Sequence, residues 1–292
     1  MITDAHDYID AFRRGENVRG PLAGLITNGR PDGTALEVLG RGLADSDAQA
    51  REKIVDLLVQ IGLETDPLTP EGAEVLRDRR IIAILSGPGL AKADLGREAA
   101  LDALRKLVTP GDLAPFEDAY VKSLIDEPCE EAFLLVAKAK PVEQKVLVES
   151  LARSSEWIEE EAARIARAAL GAKAIEDEYL AAVDTAADGR ELAMALGPLA
   201  LMGTPRSLKA LAGLLRSPLV IHVPGLFDKS VRLNVLDALS YNFPDQPVLY
   251  ANNIITEEDY TAAERFCTSA LGVTYTTPPP PFMTLRGYPF PP

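Results

Sequence analysis

An all-α fold is what this sequence predicts, on three observations. Aliphatic residues recur at i, i+3, i+4 and i+7 through most of the chain, the spacing of one buried helical stripe. Hydrophobic residues reach 47% while aromatics stay at 6%, and an Ala- and Leu-rich remainder favours close-packed helices over sheets. Proline and glycine fall between the apolar stripes, where they punctuate helices rather than break them. At 292 residues the chain is long enough to bury a large core.

The first helix is expected from Thr3 to just before Gly15, burying Ala5, Tyr8, Ile9 and Phe12. A Gly-rich passage, Gly15 to Gly33, follows, with one short helix opened by Pro21 and carrying Leu22, Leu25 and Ile26. From Asp32 the rhythm is regular: a helix over Thr34–Leu43, a turn at Ala44-Asp45-Ser46, and a helix over Asp47–Ile61 ended by Gly62. In that second helix Ile54, Val55, Leu57, Leu58 and Ile61 point inward, and Arg51 stands four residues after Asp47, within reach of the acidic turn. Beyond a Pro-bearing linker, Glu64–Pro70, further pairs are expected at Glu71–Leu85 with Lys92–Val108, Pro110–Ile125 with Pro128–Lys138, and Pro141–Arg153 with Glu156–Leu170. Ala174–Val183 with Gly189–Met202 follow, and then Pro205–Leu215 with Asp228–Leu239, the last two separated by a long connection, Ser217–Phe227. A final helix, Glu257–Leu271, begins at Thr256 with Asp259 three residues on, an acidic echo of the capping box.

Asp228–Leu239 is the sharpest of these units, with an acidic start, Arg232 four residues later, and a stripe of Val231, Val235, Leu236 and Leu239. Asp47–Leu58 and Asp94–Leu107 resemble it, with Arg51 four residues after Asp47 and Arg97 three after Asp94. Arg51 to Arg97 spans 46 residues, Arg232 to Arg265 33, and Arg97 to Arg164 67, spacings in the range of two-helix repeats. At these stretches the chain resembles the HEAT-repeat family, over about Thr34–Leu271. The resemblance implies an all-α, right-handed α-solenoid of about six degenerate HEAT-like helical hairpins with a Pro-rich C-terminal tail. N-terminal capping helices would occupy 1–33, the repeat solenoid 34–272 and the tail 273–292. One hairpin cannot bury both its faces, whereas stacked hairpins build a continuous core and a long concave surface.

Composition narrows the partners. A formal charge of −14 repels phosphate backbones, so nucleic acid is not an expected partner and a basic protein is. No run approaches the roughly 18 apolar residues of a membrane helix, so no membrane is expected. Cys129 and Cys267 lie far apart and in no metal-ligand spacing, which suits two reduced, buried thiols and a cytoplasmic location. The N-terminus has no signal-peptide pattern. The tail from Pro278 reads either as an extended Pro-rich ligand or, through Phe282, Met283, Leu285, Tyr288 and Phe290, as an apolar cap on the last hairpin; capping is favoured.

Chemistry is sparse. There is no Walker loop, no dinucleotide glycine fingerprint, no His-Glu-x-x-His and no EF-hand loop; Ser86-Gly87-Pro88-Gly89 is a hairpin turn. No catalytic residue, metal or cofactor is expected. Residues 126–184 hold 14 acidic and 7 basic side chains, half of the net charge. Glu127, Glu130 and Glu131 open one second helix, and Glu159, Glu160 and Glu161 beside Trp157 open the next, which in stacked hairpins gives an acidic column along one rim. First-turn carboxylates also stabilise the helix dipole, but three consecutive glutamates beside the single Trp exceed that need. His222, in the long connection before Asp228, is a second expected contact residue. The expected function is a non-enzymatic protein-binding module, a scaffold or an inhibitor of the immunity type. Because the HEAT-like family includes a few enzymes, the resemblance also carries a DNA glycosylase-like or bilin lyase-like alternative. The acidic charge and lone Trp oppose the glycosylase reading, and no His or Cys constellation recommends the lyase.

Overall fold

The computed structural model describes residues 4–18, 22–27, 30–63, 78–107, 109–154, 156, 160–222, 228–250, 254 and 256–280. Helix dominates among them, with two small antiparallel strand pairs. The chain divides into two compact units, Met1–Trp157 and Ile158–Pro292.

In the first unit α1 (Ala5–Arg13) is capped by Asp4, whose carboxylate accepts from the His6 and Asp7 amides at 2.9 and 3.0 Å, and it buries Ala5, Tyr8, Ile9 and Phe12 as the periodicity predicts. A short 3-10 turn, Leu22–Gly24, precedes β1 (Ile26–Thr27) and β2 (Arg30–Pro31), a pairing too short to leave a period in the sequence. The helical pairs follow: α2 (Gly33–Asp45) with α3 (Ala48–Leu63), and α4 (Arg79–Ser86) with α5 (Leu95–Leu107). The linker expected at 64–70 and the helix start expected at Glu71 lie outside the described residues. The single helix expected over Pro110–Ile125 is instead α6 (Pro110–Leu113), a 3-10 turn over Ala114–Phe116, and α7 (Glu117–Asp126). Pro115 explains the break, because it has no N–H to bond back one turn. The unit closes with α8 (Glu130–Ala139) and α9 (Lys145–Ala152).

Alternate helices pack together: α3 lies on α5 and α5 on α8, while α2 meets α4 and α4 meets α6 in a second layer. Buried arginines fasten one pair to the next. Asp47 does not hold Arg51, as the four-residue spacing suggests; it caps the Ala50 amide at 2.9 Å. The Arg51 side chain, wholly buried, reaches forward to Asp94 (2.8 Å) and to the carbonyls of Pro88 and Gly89 (3.2 and 3.0 Å), with a further bond to the Leu43 carbonyl. Arg97 repeats the move one pair later, donating to the Ser123 hydroxyl and carbonyl (2.9 and 2.8 Å) and to the Glu127 carbonyl. Gly96 makes room for this: a Cβ there would sit 2.5 Å from Arg51 Cβ.

The second unit comprises α10 (Glu161–Ala169), α11 (Lys173–Thr185), α12 (Gly189–Met202), α13 (Pro205–Gly213), α14 (Val231–Ser240) and α15 (Glu257–Leu271). Again alternate helices share layers, α10 with α12 and α14, α11 with α13 and α15. The capping box expected at α15 is present, with Asp259 receiving the Thr256 amide at 2.7 Å. The connection before Asp228 is not irregular: β3 (Val220–His222) pairs with β4 (Asp228–Ser230), Val220 opposite Ser230 and His222 opposite Asp228. Asp228 is therefore a strand residue, and Ser230 caps the Arg232 amide at the start of α14. Arg232 lies 3.6 Å from the centre of the Tyr260 ring and 3.1 Å from Glu257.

Past α15, Tyr275 donates to the Ala212 carbonyl at 3.0 Å, and Arg216, gripped by Glu264 through two 2.6 Å bonds, donates to the Thr277 carbonyl. The first residues of the tail are thus fastened back onto this unit. The apolar stretch 282–290 expected to cap it lies outside the described residues.

Candidate protein-binding surface

Glu130 and Glu131 occupy the first turn of α8, behind Cys129 at the N-cap, and Glu127 ends α7 just before it. Glu127 and Glu130 are exposed and Glu131 half-buried. The turn itself is rigid, because Arg97 grips the Glu127 carbonyl while the Glu127 side chain stays in solvent. In the second unit Glu160 is the N-cap of α10 and Glu161 its first residue, both exposed. Trp157 and Glu159 lie outside the described residues. The expected column therefore has one acidic helix start in each unit.

Several carboxylates pair with arginines: Asp94 with Arg51, Glu178 with Arg164 (2.5 Å), Glu176 and Asp177 with Arg206 (3.0 and 2.7 Å), and Glu264 with Arg216. Among the described residues, Glu127, Glu130, Glu131, Glu160 and Glu161 enter no ion pair. Burial chiefly, then the nearby Glu161 carboxylate, pushes the Tyr179 hydroxyl up to about 12.

His222 is exposed at the end of β3, facing Asp228 across the hairpin. Val223–Phe227, the remainder of that expected contact loop, lies outside the described residues. The hairpin is pressed on the start of α12, where a side chain at Gly189 would collide with the Val220 carbonyl.

Apolar side chains left in solvent are the feature the sequence reading missed. On α9 and the turn before it, Val142 and Val146 are 83% and 80% exposed and Leu147 about half exposed. Glu117 holds that segment in place, accepting from the Val142 and Gln144 amides at 3.1 and 2.8 Å. Met194 on α12 is 72% exposed. Periodicity assigns aliphatic residues to a core; which of them lack a neighbour is decided by tertiary packing. Only Met194-x-x-x-Pro198, a proline inside a helix, marked such a place in the sequence.

Other reactive groups are occupied or shielded. Burial chiefly, then Arg105, pulls the Lys138 amine down to about 7, and the amine donates to the Arg105 carbonyl. Burial raises the Cys129 thiol, against the opposing pull of the Ala132 amide and Arg97, and raises Cys267 to about 11. Neither thiol is activated as a nucleophile. Among the described residues no cluster of three or more His, Cys, Asp or Glu is placed to hold a metal ion, and no helix is long and apolar enough to cross a membrane. Comparison with family models, with curated proteins and with solved structures finds no match.

Proposed function

We propose that this chain is a non-enzymatic protein-binding module, a scaffold or an immunity-type inhibitor, whose acidic helix starts receive a basic protein partner in the cytoplasm. The observation that carries the reading is the clustering of acids at two helix starts: Glu130 and Glu131 open α8, Glu160 and Glu161 open α10, and Glu130, Glu160 and Glu161 are exposed and enter no ion pair among the described residues. Unpaired carboxylates of one sign steer a cationic partner and set its register more than they add affinity. A HEAT-like right-handed solenoid of about six hairpins suits this role, and two facts support it. Alternate helices share layers in each unit, and Arg51 and Arg97 each brace the following pair.

The test is affinity capture with mass spectrometry, at low and at high salt, using the wild type and a variant with Glu159, Glu160 and Glu161 changed to Lys. A partner held by the wild type, released by salt and lost by the variant supports the reading. Recovery of the same partner with unchanged salt sensitivity overturns it.

A further inference from the structure

The exposed face of α12 carries a second kind of contact. Met194, Gly197, Pro198 and Leu201 stand at i, i+3, i+4 and i+7, the first two exposed and the others half-exposed, so this line is a stripe without charge. Pro198 lies inside the helix and has no N–H, which leaves the Met194 carbonyl without its intrahelical donor. An apolar strip with an open acceptor at its centre fits a side chain that is aliphatic along its stem and a donor at its tip.

Charge around the strip selects which such side chain. Two tight reversals, 170–172 and 186–188, make α10 and α12 parallel neighbours, so Glu160 and Glu161 lie beside the start of α12, where Asp188 and Glu191 are also exposed. Among the described residues at that end, five exposed carboxylates, Glu160, Glu161, Asp184, Asp188 and Glu191, stand against one exposed cation, Arg190. An anion would be repelled and a neutral donor would gain nothing from them.

We propose that this face of α12 docks a lysine-bearing amphipathic segment of the partner, the lysine stem lying along Met194, Pro198 and Leu201 and its ammonium donating to the Met194 carbonyl. This rests on the basic-partner reading above and adds the apolar half of the contact.

The probe is a synthetic helical Leu/Lys amphipathic peptide, with its Leu/Glu counterpart as control, titrated against the full chain by calorimetry. Pro198→Ala is the informative variant: it restores the donor to the Met194 carbonyl and improves helix propensity, so it raises the thermal midpoint while weakening peptide binding about tenfold, the worth of one charge-assisted hydrogen bond. Met194→Lys weakens binding at least as much. If both variants bind the Leu/Lys peptide as the wild type does, while Glu160→Lys with Glu161→Lys abolishes binding, the stripe is wrong and the acidic reading stands. If none of these changes matters, if the Leu/Glu peptide binds equally, or if the wild type binds neither peptide, both are overturned.

Discussion

Arg51 and Arg232 begin from the same sequence pattern, an acidic residue followed four positions later by arginine, and end in different chemistry. Arg51 satisfies its guanidinium mainly with backbone, the carbonyls of Leu43, Pro88 and Gly89, and adds a single carboxylate. Arg232 rests on an aromatic face and pairs with Glu257, while its Nε has no hydrogen-bond partner. Carbonyls belong to the chain whatever the side chains are, so the first unit ties its pairs together through main-chain geometry. The second unit depends on Glu257, Glu264 and Tyr260, and single side-chain changes can undo its bracing.

The largest effect is expected at Arg51. Arg51→Met keeps most of the volume but strands three carbonyls and Asp94 in the interior, and removing one partner of a buried ionic network costs about 3–5 kcal/mol. Chemical denaturation should show that loss, and hydrogen exchange should place it in α3 and α5. Stability within about 1 kcal/mol of wild type would mean that the brace is incidental. Glu264→Gln is the matching cut in the second unit, weakening both bonds to Arg216 and leaving that charge half-neutralised, for about 2–3 kcal/mol. Its exchange signature should fall on α15 and on residues 273–277, which Arg216 fastens.

What could be read beforehand follows from the same contrast. The period of the arginines and the aliphatic stripes set out most helices, Glu257–Leu271 to the residue. The partner of each arginine could not be read, because Asp47 and Asp94 each cap the amide three residues on and only the stacking of α3 on α5 makes Asp94 the recipient of Arg51. His222 lay in a visibly β-branched run, yet its strand partner, Asp228-Lys229-Ser230, has no strand preference of its own and was absorbed into the following helix. Glu127, Glu130, Glu131, Glu160 and Glu161 were legible from charge alone. Their freedom from ion pairs, which other acids share, depends on where the cations went.

Lys138 tests the first unit from another side. Its amine titrates near 7 in the folded chain against 10.5 when exposed, so between those values the unfolded state holds one more proton and stability rises with pH, by at most about 1.4 kcal/mol per unit. Below pH 7 both states are protonated and the contribution is at its minimum. Arg105 adds to the burial effect and Asp112 opposes it. Lys138→Met should flatten the rise between pH 7 and 9 and gain about 1–2 kcal/mol at pH 6. An unchanged slope in denaturation midpoints would show that the amine stays charged.

The smallest effect belongs to Gly189, and it separates the hairpin from the helices. A methyl group at 189 has nowhere to go, because the Val220 carbonyl occupies its place, while α12 itself tolerates alanine better than glycine by about 0.5–1 kcal/mol. Gly189→Ala should therefore leave global stability within about 1 kcal/mol, helix gain offsetting lost contact, while exchange at the Val220 and His222 amides rises severalfold. If the hairpin also helps present His222 to a partner, the same variant weakens capture without touching a single carboxylate. If β3 exchanges as in the wild type, the hairpin is held by its own ladder and not by α12.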